Sequence, residues 1–382
     1  MESQLARCSK VLWNLLQISL YLLGGEGRIL RAGMRCTGPQ PTIGLAPAHL
    51  AAHKSNFLGV AITSSCVVKN EYIKSCLVTI CSGRLVLRNS SVSWVRGLPL
   101  DSTVCVVGDS MIEVHNSVFS DNHATALAIF DNARVLVNAS TISHNSLDGG
   151  VVFGDDANIT ITGRSTLHGN IASENGGGLC ARGRAVLMVA GNSSVSGNSA
   201  YQFGGGVAAF DNVSITMTGG SSVQGNTAHD TGGGLAVWGN GVRCTLMGGS
   251  RVYGNTAAMY GGGLVVHDGA TTALAGGSSV HENLAGVSGG GIMALHSTVA
   301  ITGGSSVRGN TARVPGGGLG IDGSRVTISN HSTVSNNLLS ETCVRGVGGG
   351  IAVEIVAPRK SAGGMSEMSI QFDTPGVQLA AL

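Results

Sequence analysis

The chain is poor in charge, in aromatic rings and in proline. Charged side chains make up 12% of the 382 residues, and the formal net charge is +2. Such a balance gives no basic field to attract nucleic acid, so we expect no nucleic-acid partner. Apolar residues still reach 43%. The chain therefore has the material for a core and is not a disordered glycine-rich tract.

Paired cysteines at the spacing of metal or redox sites are also missing. No CxxC pair occurs, so we predict neither a zinc site nor a thioredoxin-type site, and we expect no cofactor. Cys66, Cys76 and Cys81 are candidates to cross-link the first coils in an oxidising compartment. The sequence does not fix the pairing, and the total of nine cysteines leaves at least one without a partner in the chain.

Glycine is abundant, with 60 residues, and much of it recurs at a fixed interval. Triple glycines begin at Gly176, Gly204, Gly232, Gly261, Gly289, Gly316 and Gly348. Their spacing is 27 to 29 residues except for the last, which is 32. Each triple leads into a strand-like segment and not into a helix, so a glycine-rich nucleotide loop is excluded.

An asparagine repeats with the same period, at the end of a phrase that is Ser-Val-x-Gly-Asn at Asn198, Asn226 and Asn310 and a close variant of it elsewhere. It stands at Asn170, Asn198, Asn226, Asn255, Asn283 and Asn310, with looser versions at Asn122, Asn145 and Asn337. A recurring asparagine can stack as a ladder, in which each amide bonds to the next coil. The sequence therefore predicts a structural turn ladder at these positions.

Each repeat contains three short stretches of strand-forming residues bounded by turn residues. In residues 207–234 they begin at Val207, Val213 and Ser221. No helical stripe lies between them, and we predict an all-β fold: a right-handed parallel β-helix with three short strands per coil and about ten coils of roughly 23–29 residues.

Aligned coils give aliphatic columns. The first stretch offers Leu179, Val207, Leu235, Leu264, Ile292, Leu319 and Ile351, with a second aliphatic or alanine residue two positions later. The period of two predicts that both columns face the core and that the residue between them points outward.

The two repeated phrases resemble the polymorphic outer membrane protein repeats of the pectin lyase-like β-helix superfamily. Phe119-Ser120-Asp121-Asn122 matches the Phe-x-x-Asn motif, and Gly232-Gly233-Gly234-Leu235 is similar to the Gly-Gly-Ala-aliphatic motif. The resemblance covers about residues 78–356 and implies an adhesin-like surface protein. It does not extend to a C-terminal membrane barrel.

The chain divides into four regions. Residues 1–25 are a signal-like apolar segment or a capping helix, and residues 26–77 are a cysteine-containing cap with a first irregular coil. The β-helix repeats span 78–356. Residues 357–382 are expected to be a degenerate last coil or tail without a cap. Two explanations for the missing cap stay open, a fragment of a longer chain and an imperfect gene model.

Six N-glycosylation sequons favour a secreted or cell-surface location: Asn89, Asn138, Asn158, Asn192, Asn212 and Asn330. The apolar N-terminal run and the cysteines agree with that location.

Carboxylates are the best catalytic candidates, because glycosidases and lyases of this fold class use them in clusters. Asp131 lies one coil before Asp155 and Asp156, with Asp109 one coil earlier. The same column is also an ordinary turn, which we favour, so we assign no catalytic residue. His168 and His281 share an outward column but lie about 19 Å apart, too far for one metal ion.

Threonines form interrupted outward rows in the second stretch, Thr160, Thr216, Thr245 and Thr327 in one and Thr162, Thr218 and Thr302 in the next. Such rows occur in ice-binding β-helices, but threonine is also a good exposed strand residue.

We therefore predict a non-enzymatic extracellular or cell-surface scaffold that presents its lateral faces to a protein or glycan ligand. The alternative is a pectin lyase-like or polygalacturonase-like enzyme that uses Asp131, Asp155 and Asp156, and a remote alternative is ice binding through the threonine face. No nucleotide is expected, and the oligomeric state stays open.

Overall fold

A computed structural model describes residues 76–80, 83–93, 101–314, 316–340, 351–354 and 370–372. Every regular element in these ranges is a β-strand, and the strands wind into a right-handed parallel β-helix, which confirms the predicted fold. The apolar N-terminal segment, Cys66 and the end of the chain lie outside the described residues, as does the last triple glycine.

Two sheets of 11 strands each run along the described solenoid. Sheet A contains Cys76–Ile80, Ser102–Val106, Thr125–Ile129, Val151–Phe153, Leu179–Ala181, Val207–Phe210, Leu235–Trp238, Leu264–His267, Ile292–Leu295, Leu319–Asp322 and Ile351–Glu354. Sheet B contains Arg84–Arg88, Met111–His115, Arg134–Asn138, Asn158–Thr162, Val186–Val189, Ser214–Met217, Arg243–Leu246, Thr271–Leu274, Thr298–Ile301, Arg325–Ile328 and Ile370–Phe372.

The other two described sheets have 10 and 7 strands. Sheet C contains Ser91–Ser93, Val118–Ser120, Thr141–Ser143, Thr166–His168, Ser194–Ser196, Ser222–Gln224, Arg251–Tyr253, Ser279–His281, Ser306–Arg308 and Thr333–Ser335. Sheet D contains Ile171–Ala172, Ser199–Ala200, Thr227–Ala228, Thr256–Ala257, Leu284–Ala285, Thr311–Ala312 and Leu338–Leu339. The sequence predicts three strands per coil. The two-residue strands of sheet D are a fourth strand in seven of the described coils, which the sequence did not predict.

The predicted aliphatic columns fill the core. Leu179, Val207 and Leu235 are directly paired along sheet A and are buried, and the column two residues later is buried as well. Parallel pairing in register stacks each core residue on its equivalent in the next coil. The interior is therefore one layer of apolar side chains per coil.

The column between the two core columns was predicted to point outward, and it does face away from the core, but it is not exposed. Its members are Cys180, Ala208, Ala236, Val265 and Met293, all at most 6% exposed. A second apolar cluster covers them with the side chains of Phe203, Phe210, Tyr260 and Leu295. Phe203 and Tyr260 each precede a triple glycine, and Phe210 and Leu295 are each the last residue of a strand of sheet A. The outer surface of sheet A in these coils is therefore a covered apolar layer.

Each glycine of a triple has its own physical reason. Gly204 has φ +65°, a left-handed conformation that costs glycine nothing. A Cβ on Gly205 would overlap the backbone of Thr227 and lie 2.6 Å from the carbonyl oxygen of Gly233. A Cβ on Gly206 would lie 2.9 Å from Nδ2 of Asn226. The triple glycine therefore lies against the asparagine column, which explains why the two repeated phrases keep one period.

The asparagines form one continuous ladder of side-chain amides. Nδ2 of Asn226 donates to Oδ1 of Asn255 at 2.9 Å and to the carbonyl of Val195 at 3.0 Å. Its Oδ1 accepts the backbone N–H of Asn198 at 2.9 Å and the side-chain amide of Asn198 at 3.0 Å. The same side-chain pairing links Asn122, Asn145, Asn170, Asn198, Asn226, Asn255, Asn283, Asn310 and Asn337. These amides are buried, and the ladder satisfies their donors and acceptors.

Candidate functional site

The aspartates proposed as catalytic candidates lie in the turn between sheets A and B. Asp131 and Asp155 have φ values of +60° and +56°. Oδ2 of Asp131 accepts the backbone N–H of Gly108 at 2.8 Å, and Oδ2 of Asp155 accepts that of Asp131 at 3.2 Å. Each carboxylate thus links its own turn to the turn of the preceding coil by a hydrogen bond. These are the same oxygen atoms that a catalytic pair of carboxylates would need for a substrate.

Asp156 has a different partner. Nε and Nη2 of Arg184 donate to its two carboxylate oxygens at 2.7 and 2.5 Å. This hydrogen-bonded pair lowers the pKa of the exposed Asp156 carboxyl and raises that of Arg184. The structure therefore brings Asp131, Asp155 and Asp156 onto one ridge but directs each carboxylate to a separate protein partner. Asp109 accepts a hydrogen bond from Nδ2 of Asn132 on the same ridge.

The two histidines of the outward column of sheet C are placed as predicted, four coils apart in register. The ring of His281 stacks on Tyr253 with centroids 4.9 Å apart, and its buried Nδ1 lies 3.5 Å from Oε1 of Glu282 without the alignment of a hydrogen bond. Burial lowers the pKa of His168 and of His281, and the charge of Arg308 lowers that of His281 further. In the described ranges no three His, Cys, Asp or Glu side chains are grouped as metal ligands.

The threonine row lies on the outer face of sheet B. The register places Thr160, Met188, Thr216, Thr245, Ala273, Ala300 and Thr327 in one column. Met188 is 40% exposed and breaks the row, as do the two alanines. Ice binding by this face stays a prediction.

Two cysteines have free thiols in the described ranges, and neither is placed to act as a nucleophile. Cys180 and Cys244 are buried, and burial raises the pKa of Cys180 to about 11 and that of Cys244 to about 12. A thiol of this kind carries almost no thiolate at neutral pH. Cys105, in the second described strand of sheet A, is disulfide-bonded. The cysteine pattern indicates Cys66, Cys76 and Cys81 for such a cross-link and does not indicate Cys105, and their pairing stays a prediction.

A row of half-exposed aromatic rings on the outside of sheet A was not predicted. We define the aromatic strip as Phe203, Phe210, Trp238, Tyr260 and His267. Trp238 lies against three groups: the Phe203 ring at 5.0 Å, the His267 ring stacked at 4.1 Å, and Oδ2 of Asp268, to which its Nε1 donates at 2.8 Å. Nδ1 of His267 lies 2.9 Å from Oδ1 of Asp268 without the alignment of a hydrogen bond.

The register explains how the strip forms. Phe210, Trp238 and His267 are direct neighbours in sheet A, one per coil, each just after a buried core residue. Phe203 and Tyr260 precede triple glycines and pack against the small residues of the covered column. The sequence does contain a signal for the strip. The residue that follows the second core residue is aromatic in three successive coils, although the chain has only 3 tryptophans.

Polar groups adjoin the strip at its N-terminal end. The guanidinium carbon of Arg182 lies 5.0 Å from the centre of the Phe210 ring. Arg182 also interacts electrostatically with Asp148, whose carboxyl accepts a hydrogen bond from Ser173 at 3.4 Å. Burial raises the pKa of Asp148, and the charges of Glu174 and Asp101 raise it further. This acidic cluster contains none of the aspartates proposed from the sequence.

The six sequon asparagines lie on or beside sheet B. Asn138 and Asn158 are in its strands, and the other four are in the turns at its two edges: Asn89, Asn192, Asn212 and Asn330.

No helix in the described ranges is both long enough and apolar enough to cross a membrane. A family model described as "Right handed beta helix region" matches residues 58–216 and 102–298, together more than half of the chain. Neither the comparison with curated proteins nor that with solved structures gives a match.

Proposed function

Because the chain belongs to the right-handed beta helix family, we propose that it is a non-enzymatic, secreted or cell-surface scaffold that binds a partner along one lateral face. The family is compatible with both surface repeat proteins and polysaccharide-cleaving enzymes, so the choice depends on the site. The Phe-x-x-Asn and Gly-Gly-x-aliphatic phrases support an adhesin-like role.

The observation that carries the proposal is the aromatic strip. Half-exposed aromatic side chains with a neighbouring arginine are the residues that dominate binding energy at interfaces. Here they are concentrated on one face, although aromatic residues are only 4% of the chain. Phe203 packs on the buried layer of sheet A, and Trp238 contacts the rings of Phe203 and His267, so the rings are held in place before any ligand binds.

The ligand that fits the strip is an extended glycan. Sugar rings present apolar C–H faces that pack against aromatic side chains, and their hydroxyls need polar partners at the rim. Arg182, His267 and Asp268 supply such groups beside the rings. Successive coils place one ring about every 4.8 Å, so a linear polymer meets several rings at once.

Catalysis is not required by this arrangement. Asp131 and Asp155 accept backbone N–H groups, and Asp156 is paired with Arg184. Asp131 and Asp155 are held as turn acceptors, and the hydrogen-bonded pair with Arg184 lowers the pKa of Asp156, which is the opposite of what a general acid needs.

Replacing Trp238 tests the binding face. The full chain is screened against immobilised uronic-acid and neutral glycans. We expect Trp238→Ala to weaken binding at least ~10-fold, which corresponds to ~1.4 kcal/mol, while Tyr253→Ala, an aromatic deletion on sheet C, leaves it unchanged. Circular dichroism verifies that both variants fold. Failure of the wild type to bind any glycan, or equal losses in the two variants, would contradict the proposal.

A second candidate function is glycan cleavage, and one observation favours it. Asp148 has a raised pKa and lies beside the charges of Glu174 and Asp101, as a general acid beside a second carboxylate does. If the protein cleaves a polymer, Asp148→Asn is expected to abolish the activity, whereas Asp131→Asn and Asp155→Asn keep it. The release of reducing ends measures both.

A further inference from the structure

The sequons are not spread around the solenoid. Asn89, Asn192 and Asn330 occupy the turn from sheet B to sheet C, Asn212 occupies the turn from sheet A to sheet B, and the remaining two lie within sheet B. Sheets C and D and the strands of sheet A contain no sequon in the described ranges. One lateral face with its two edges therefore contains all six.

Five of the six side chains are open to solvent: Asn89, Asn158, Asn192, Asn212 and Asn330. Three of them have φ values from +49° to +57°, which asparagine tolerates better than most residues. Backbone geometry alone thus accounts for those three. It does not account for Asn158, which lies in a strand, where asparagine is disfavoured.

Asn138 differs from the other five. It is half-buried, and its Nδ2 lies 3.2 Å from Nδ1 of His115 in the preceding coil. A Cβ added to Gly163 in the following coil would overlap Oδ1 of Asn138, but Cβ atoms added to Gly220 and Gly241 would likewise overlap Asn192 and Asn212. The half-burial of the Asn138 side chain is therefore what distinguishes it from the five exposed asparagines, and it leaves less room for a sugar on Nδ2.

We propose that the protein carries N-linked oligosaccharides at the five exposed sequons and that these cover sheet B, leaving sheets A, C and D bare. In the transfer, the side-chain nitrogen bonds to the anomeric carbon of the sugar. The bond from that carbon to the pyrophosphate oxygen of a lipid-linked donor breaks, and the amide gives up a proton. The inference depends on the secreted or cell-surface location proposed above.

This arrangement assigns different roles to two faces. A glycan-covered sheet B is unavailable for ice or for another flat surface. The aromatic strip lies on sheet A, and the sequon nearest to it along the chain is Asn212, two residues after Phe210. The covered face also prevents side-by-side contact of two solenoids through their exposed β-sheets, a contact that exposed sheet surfaces otherwise invite.

Mass spectrometry of the secreted protein tests the inference. The full chain is expressed in a eukaryotic cell behind a cleavable secretion signal, and the sugars are removed enzymatically in heavy-oxygen water. Each occupied asparagine then becomes a labelled aspartate. We expect label at most of the five exposed sites and none at Asn138.

Two matched variants sharpen the result. Thr160→Ala destroys the Asn158 sequon without changing the asparagine, and it should remove one glycan from the mass of the protein. Asn138→Gln should leave that mass unchanged. Label at few or none of the exposed sites, or label at Asn138 equal to theirs, overturns the inference. Glycan binding through Trp238 can be measured on the deglycosylated protein, so failure of this inference is distinct from failure of the proposed function.

Discussion

At the residue scale, the second glycine of each triple is the position with the least space. A methyl group on Gly205 would meet the backbone of Thr227 and of Gly233, which belong to the next coil. Backbone atoms that are themselves hydrogen-bonded cannot retreat as the end of a side chain can. The strict recurrence of this glycine therefore follows from the close approach of two coils.

Gly205→Ala should lower the free energy of unfolding by about 3 kcal/mol, the upper range for overpacking. The control is Gly249→Ala, where φ is +72° but no atom lies within 4 Å of the added carbon. Only left-handed strain acts there, at about 1 kcal/mol. Urea unfolding followed by circular dichroism measures both, and equal losses would contradict the steric explanation.

Asn226→Leu should destabilise the protein by on the order of 1–3 kcal/mol, because it leaves buried partners of the ladder unpaired. The amide of Asn198 loses its acceptor, and the carbonyl of Val195 loses a donor. Asn240→Leu, at an exposed turn, is the control and should be nearly neutral. A neutral Asn226→Leu would show that the ladder adds no stability.

At the element scale, the outward column of sheet C makes stability depend on pH. Burial lowers the pKa of His168, which also faces His144. His281 faces Arg251, Arg308 and Glu282, and its pKa is lowered as well. The folded state then binds protons less readily than the unfolded state. The two histidines therefore contribute fully to the free energy of unfolding above pH 6.5, the ordinary pKa of histidine, and this contribution is lost as the pH falls below that value.

The thermal unfolding midpoint should therefore fall as the pH is lowered from about 7.5 to about 5.5. In the double variant His168→Gln, His281→Gln the fall should be smaller, because the groups that take up protons on unfolding are gone. Differential scanning calorimetry across this pH range measures the effect. An unchanged pH dependence in the double variant would contradict the assignment to these two histidines.

The elements divide into those that the sequence predicted and those that it did not. Strict periodicity determined sheets A, B and C and the asparagine ladder, because every coil repeats the same residue types there. Sheet D was missed since its strands are only two residues long, as in Thr227–Ala228. The aromatic strip was missed because Phe210, Trp238 and His267 differ in type, and a search for identical residues does not align them.

The acidic cluster could not be predicted for a different reason. Asp148 and Glu174 are 26 residues apart, and the residue types at their positions are not kept from coil to coil. Their proximity depends on how the long return segments fold against sheet A. The Asp131, Asp155 and Asp156 column was visible in the sequence because it repeats, and repetition there reflects the turn and its hydrogen bonds.

At the scale of the whole molecule, architecture and binding use different columns of one solenoid. Glycine triples, core aliphatics and the ladder recur in coil after coil and bind each coil to its neighbours. The aromatic strip and the acidic cluster vary from coil to coil, and they occur on the outside of sheet A. Function is therefore expected where the repeat is broken, and we propose that the protein is a binding scaffold without catalysis.

The most direct test of that account is the length of a bound polymer. The intact protein is incubated with the glycan that it binds most tightly in a Trp238-dependent manner, and the chain length of the glycan is followed by size-exclusion chromatography and mass spectrometry. The account predicts binding with no shortening of the polymer, for the wild type and for Asp148→Asn alike. Shortening by the wild type that disappears in Asp148→Asn would contradict it and would identify the protein as an enzyme.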